Sequence, residues 1–256
     1  MSLADLPLPA VRAASYEVAV LPWGATEAHN LHLPYGTDTI QAEAVAVEAA
    51  RRAEAQGVRV AVLPAVPFGV NTTQLDIPCT LNVMPTTQLA LLRDLVDALA
   101  GQGVRKLVIV NGHGGNDFKW MIRELQPRTP LFLSTLNWWQ VVDPKGYFED
   151  LGDHAGELET SVMLAIAPEL VRPLDEAGPG SARPWRMAAL REGWAWAPRR
   201  WTQVTDDTGI GDPKAATREK GARFFDAVCG KVAGYLVELA AADVGDLYGA
   251  SDDRHS

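Results

Sequence analysis

The sequence predicts one three-layer α/β/α sandwich around a mainly parallel sheet, and three observations predict it. Four apolar runs bounded by Gly, Pro or Asn are continuous in hydrophobicity, as in strands buried on both faces. Longer stretches of helical periodicity separate them, and such alternation implies crossover connections with helices on both sides of the sheet. A chain of 256 residues, 47% hydrophobic and 21% charged, can bury one large core and lies near the globular average.

The elements follow in order. YEVAVLP (16–22), VRVAVLPAVPF (58–68), KLVIVNG (106–112) and PLFLSTLNWW (130–139) are the expected strands, β-branched or leucine-rich throughout. Residues 38–56, 86–102 and 116–126, rich in Ala, Leu, Glu, Gln and Arg, are the helices between and after them. A helix from about Glu157 to Ala167 follows the stretch HAGELET. Residues 168–213 are then rich in Pro, Gly and Trp, with Trp185, Trp194, Trp196 and Trp201 making half of the tryptophans. Such a segment is too apolar for a solvated linker and is expected to pack over the domain or a neighbouring subunit. A long amphipathic helix over roughly 215–241 and a polar tail, 249–256, close the single domain, 1–256.

A net charge of −9 argues against a nucleic-acid partner, which needs clustered Lys and Arg. The start of the chain has no apolar core of signal-peptide length, and no stretch approaches the ~20 apolar residues of a membrane span, so a cytoplasmic protein is expected. Cys79 and Cys229 stand far apart, without the spacing of a thiolate zinc site or a disulfide framework.

Four of the five histidines fall in loops at expected strand ends, where open α/β sheets form their ligand crevice. GATEAHNLHLPYGTD follows the first strand, NGHGGN the third, and HAGELET comes after the fourth. Imidazole and carboxylate drawn from separate loops make the donor set that zinc or manganese takes. Glu27 and His29 point to one side if this piece is extended. Asp38 opens a helix, where its two oxygens could bridge two cations or cap the helix. Glu157 and Glu159, near a helix start, could equally complement the macrodipole. Taken singly, each is most often a packing or surface residue; their convergence on one rim points to a divalent metal site.

Two other readings are weaker. NGHGGN could make a phosphate turn, yet Asp117 stands where the third glycine of a dinucleotide fingerprint belongs and no Gly-Lys-Ser/Thr occurs. A serine hydrolase lacks its G-x-S-x-G elbow.

The pieces PWGATEAHNLHLPYGTD, VIVNGHGGN, HAGELETS and TGIGDPKAATREKG, in that order from residue 22 to residue 221, resemble the creatininase (creatinine amidohydrolase) family of metal-dependent amidohydrolases. The resemblance implies two divalent ions per subunit, zinc and/or manganese, and a homo-oligomer, a hexamer by family habit. It implies that Glu27 and His113 bind one metal, His29 binds the other and Asp38 bridges them. Glu159, with Glu157 as the alternative, completes the second site, and His154 works beside the substrate as acid or base. The expected reaction is hydrolysis of a C–N amide bond of a small molecule by hydroxide formed between the metals, and the competing class is a non-catalytic metal- or ligand-binding protein on the same fold. His32 is expected to orient the loop. Asn71, with Thr72 and Gln74, and Gly114 are candidate substrate contacts. Creatinine-hydrolysing members carry a tyrosine and a glutamate one and two residues after the NGH histidine, and a Trp-Asp pair before the substrate histidine. Here those positions are Gly114, Gly115, Asp150 and Leu151, so creatinine is a poor expected substrate beside the formamides or peptides that other members cleave.

Overall fold

The computed structural model describes residues 2–249. Residues 250–256, most of the expected polar tail, lie outside the described residues. The element order is α1 (Leu8–Ala13), β1 (Val18–Trp23), α2 (Thr37–Glu54), β2 (Val60–Val62), α3 (Pro85–Gly101), β3 (Lys106–Asn111), α4 (Phe118–Leu125), β4 (Phe132–Asn137), α5 (Glu157–Ile166), the single-turn helices α6 (Ala188–Arg191) and α7 (Trp201–Val204), and α8 (Arg218–Ala241). The four strands pair in parallel in the order β2-β1-β3-β4.

Alternation along the two central strands builds the layers. Val18 and Val20 of β1 and Val108 and Val110 of β3 face one side, against α2, α5 and α8. Ala19, Leu21, Trp23, Leu107 and Ile109 face the other, against α3 and α4. On the first side α2 offers Ala42, Val45, Ala46 and Ala49, a stripe at helical spacing whose small side chains let it lie close to the sheet. Phe224, Val228, Val232 and Leu236 of α8 complete that layer. The result is the three-layer α/β/α sandwich.

One expectation needs correction. The second strand is three residues long, not eleven, because Pro64 and Pro67 have no N–H to continue the ladder; beyond it only the Val66 bridge to Trp23 remains. The 168–213 segment packs on the domain only in part. Trp201 is buried and Asn30 is bonded to both backbone groups of Gly178, but Trp194 and Trp196 are 76% and 84% exposed. Among the described residues no helix is long and apolar enough to cross a membrane.

Candidate metal centre

Because all strands run the same way, the chain leaves Trp23, Asn111 and Asn137 at one rim. From there residues 24–36 cross the top of the sheet to α2. Asn30, at φ 53°, turns this piece between His29 and His32. Asp38 lies inside the first turn of α2, whose cap is Gly36, so it is no N-cap and its carboxylate is left for other partners. Gly112 lets the β3 loop touch that turn, since a Cβ there would sit 2.2 Å from the Asp38 carbonyl oxygen. The contact brings His113 against Asp38.

The NGHGGN loop is held by its two asparagines. Asn111 accepts the His113 N–H at 3.1 Å and donates to the His113 carbonyl at 2.9 Å and to Asn137 at 2.9 Å. Asn116 donates to Asn111 and to the Gly24 carbonyl, and accepts from Val70 N–H and Gln88. This carboxamide network, legible only once the fold joins its members, fixes the loop across three strands.

Three imidazoles share one arrangement. His29 donates Nδ1–H to the Glu27 carbonyl (3.0 Å), which leaves Nε2 facing Asp38 Oδ1 at 2.9 Å. His113 donates Nε2–H to the Val70 carbonyl (3.1 Å), so Nδ1 faces Glu27 Oε1 at 2.9 Å and Asp38 Oδ2 at 3.0 Å. His154 donates Nε2–H to the Ala28 carbonyl (2.8 Å), and its Nδ1 looks toward Glu27 Oε1 at 3.8 Å. A carbonyl only accepts, so each neutral ring must carry its lone pair toward a carboxylate oxygen. Two acceptors face one another unless a proton or a cation stands between them.

The electrostatics follow. Burial alone would lower the His29 pKa, but the Asp38 charge and hydrogen bond outweigh it and raise it to about 10. His113 is likewise raised well above its ordinary value, burial being overcome by Glu27 and Asp38. Burial raises the Glu159 carboxyl, and the nearby His29 and His154 only partly offset it. His32 goes the other way, to about 4, through burial and the neighbouring His29 charge; its Nε2 meets Thr160 Oγ1 at 2.8 Å.

Potential ligand atoms gather in three overlapping groups: Glu27, Asp38 and His113; His29, Asp38 and Glu159; and Glu27, His29 and His154. Asp38 belongs to the first two, one oxygen toward each. Glu157 belongs to none of them; its carboxylate accepts from Glu149 N–H, Asp150 N–H and Lys220 instead. Gln74 donates to Glu27 Oε2, holding that carboxylate rather than lining a pocket.

A cavity of about 430 Å³ opens over the cluster, walled by Gly114, Trp139, Val142, Pro144 and Leu151. Asn71 does not line it: it is buried beneath, donating to the Leu81 carbonyl at 2.9 Å, which corrects its expected substrate contact. Trp139, Val142 and Pro144 escape sequence reading because the strand expected to reach residue 139 ends at Asn137, and the short 3-10 turns and bends that follow have no periodicity to mark a face. Trp201 packs edge-on to His154, ring centroids 5.2 Å apart. A side chain at Gly115 has no room, since its Cβ would lie 2.3 Å from the Val70 oxygen and 2.4 Å from His113 Nε2.

Known proteins resemble the chain over most of its length. It is 32% identical over 218 residues to the mycofactocin precursor peptide peptidase of Mycobacterium tuberculosis, covering 82% of this chain and 80% of that one. It is 27% identical over 229 residues to the creatinine amidohydrolase of Pseudomonas putida, covering 80% and 82%. A crystal structure from Bacteroides fragilis NCTC 9343, assigned by name to the creatinine amidohydrolases, superposes with a TM-score of 0.91 at 48% identity, over 95% of this chain and 98% of that one. A manganese creatininase superposes with a TM-score of 0.75 at 25% identity, over 94% and 100%. The family model Creatininase, described as creatinine amidohydrolase, matches residues 4–236. A parallel sheet with an imidazole–carboxylate cluster at its rim and a family match across nearly the whole chain lead to one assignment: the chain belongs to the creatininase family.

Proposed function

We propose that the chain is a metal-dependent amidohydrolase that cleaves a C–N amide bond. Glu27, Asp38 and His113 would hold one divalent cation and His29, Asp38 and Glu159 the other, zinc and/or manganese, as the names of solved family structures suggest. The observation that carries this reading is the set of three imidazoles, each with one nitrogen committed to a backbone carbonyl and the other aimed at a carboxylate oxygen. That is the donor arrangement of metal sites, in which the second nitrogen of each histidine is tied down by hydrogen bonding. When bound, the cations supply Lewis acidity and bring the pKa of water toward about 7.

The remaining chemistry belongs to side chains. His154, with Nε2–H engaged by Ala28, has Nδ1 free to accept a proton and pass it to the leaving nitrogen. Trp201 closes one side of that ring against water. Gln74 keeps Glu27 from turning away, and His32 stays neutral near pH 7, adding no charge to the cluster. Val142, Pro144 and Leu151 give an apolar wall for the groups beside the amide.

The cavity volume supports an amide larger than creatinine, as does similarity to relatives named as precursor-peptide peptidases. Assembly as a homo-oligomer, a hexamer by family habit, is supported by exposed Phe68, Leu75, Leu81 and Met84 near one another in sequence. The test is elemental analysis joined to a hydrolysis screen against creatinine, formamides, lactams and short peptides. Two divalent ions per subunit and a chelator-sensitive turnover of one of these amides are expected. Turnover indifferent to chelation would overturn the reading.

A further inference from the structure

The segment Thr208–Gly221, TGIGDPKAATREKG, supplies no candidate ligand among the described residues, and Glu157 is a fully buried carboxylate outside every candidate ligand group. One arrangement employs both. Glu157 Oε2 accepts the N–H groups of Glu149 (2.7 Å) and Asp150 (2.8 Å), and its Oε1 accepts from Lys220 Nζ at 2.5 Å. Lys220 also donates to the Ala215 carbonyl at 3.0 Å. Asp150 accepts Gly152 N–H through Oδ1 and Asp212 N–H through Oδ2. The N–H groups of Asp153 and His154 both donate to the Ile210 carbonyl (2.7 and 3.0 Å), and Ile210 N–H returns to the His154 carbonyl at 2.8 Å.

Residues 149–154 belong to no helix or strand, yet they carry the Leu151–Asp153 wall of the cavity and His154 itself. Their placement therefore depends on these directional bonds. An apolar pair would serve stability as well as a buried ion pair does, but it could not hold two specific backbone N–H groups. We infer that Glu157 and Lys220 are positioning residues, a clasp that fixes the 149–154 loop and through it the place of His154 Nδ1 over Glu27. The inference rests on the reading of His154 as the proton carrier.

The test uses the zinc-loaded full chain and needs no substrate. Nuclear magnetic resonance of the His154 ring reports its tautomer, and amide hydrogen exchange reports the 149–154 backbone. In Lys220→Met the single Nε2–H tautomer is expected to give way to an averaged signal, and exchange at Glu149 and Asp150 to rise about 10- to 100-fold, while both zinc ions stay. Lys220→Arg is expected to restore both readouts. If Lys220→Met does not fold, Asp150→Ala at an exposed position is expected to broaden the same His154 signals. Unchanged ring and exchange signals in Lys220→Met, or in Asp150→Ala in its stead, would overturn the clasp; so would equal loss in Lys220→Arg. Zinc content separates the two ideas, since a parent chain that takes up no zinc counts against the metal centre and leaves these signals to be read independently.

Discussion

At the scale of single residues, the decisive atoms are the two oxygens of Asp38. Oδ1 meets His29 and Oδ2 meets His113, so removing this carboxylate takes a partner from both halves of the cluster. Asp38→Ala is expected to lose both metal ions on dialysis, whereas Glu27→Gln weakens one, as elemental analysis would read. Protons compete for the same lone pairs. The folded-state pKa of His29 lies at about 10, above the ordinary 6.5, so its contribution to the metal-free fold is fully present below about pH 6.5 and lost as pH rises through about 10. Metal ligation requires the deprotonated ring and strengthens over that same interval. The gap in Tm between metal-loaded and chelated protein should therefore widen from pH 6.5 to 10; a constant gap would contradict the ligand role. His154→Ala should keep both metals and lose turnover by ~10²–10⁴-fold, and loss of metal would make His154 a ligand instead. Most of these positions were legible because they sit in short motifs at strand ends. Glu157 and Glu159 were not separable, since both open the same helix; two residues apart they diverge by about 200° around its axis, and only the fold says which way each faces.

At the scale of elements, the strands and helices were legible wherever periodicity was unbroken, and β1, β3, β4 and α8 begin and end within a few residues of their sequence limits. Where the reading failed, proline or irregular chain was the cause. Pro64 and Pro67 cut β2 short, and the cavity walls at 139–144 lie on segments with no repeat to reveal a buried side. The tight loop after β3 has its own consequence. Gly115 occupies the position of the glutamate in creatinine-hydrolysing members, but its backbone lies too close to His113 and Val70 to carry any side chain. Gly115→Glu is thus expected to displace His113 and lower metal content instead of adding a ligand, with destabilisation of about 1–3 kcal/mol from overpacking. Denaturant titration and metal analysis check both parts.

At the scale of the whole molecule, the cluster joins chain from Glu27 to Glu159 under a cavity whose wall mixes apolar side chains with Gln140, Asp143 and Asp153 and contains no lysine or arginine. Creatinine would find no side chain at Gly114 to stack on beside His113, and Asp150 is engaged with Gly152 and Asp212 and does not line the cavity, so the acidic groups that do, Asp143 and Asp153, are offered from other positions of the chain. Each polar group left unsatisfied costs ~1–3 kcal/mol. Creatinine turnover is expected to be weak or absent beside clear activity on a bulkier amide; a kcat/KM for creatinine of about 10⁴ M⁻¹s⁻¹ or more would refute this.

The uneven burial of the tryptophans also gives the protein an optical signature. Trp23 and Trp138 are sealed from solvent, while Trp194 and Trp196 stand in it. Ultraviolet emission should therefore divide into a short-wavelength part that iodide does not reach and a long-wavelength part that it quenches. Trp201 belongs with the first and lies edge-on to His154. Since Trp201 packs on that ring, His154→Ala should alter the shielded part of the emission and leave the iodide-quenched part unchanged.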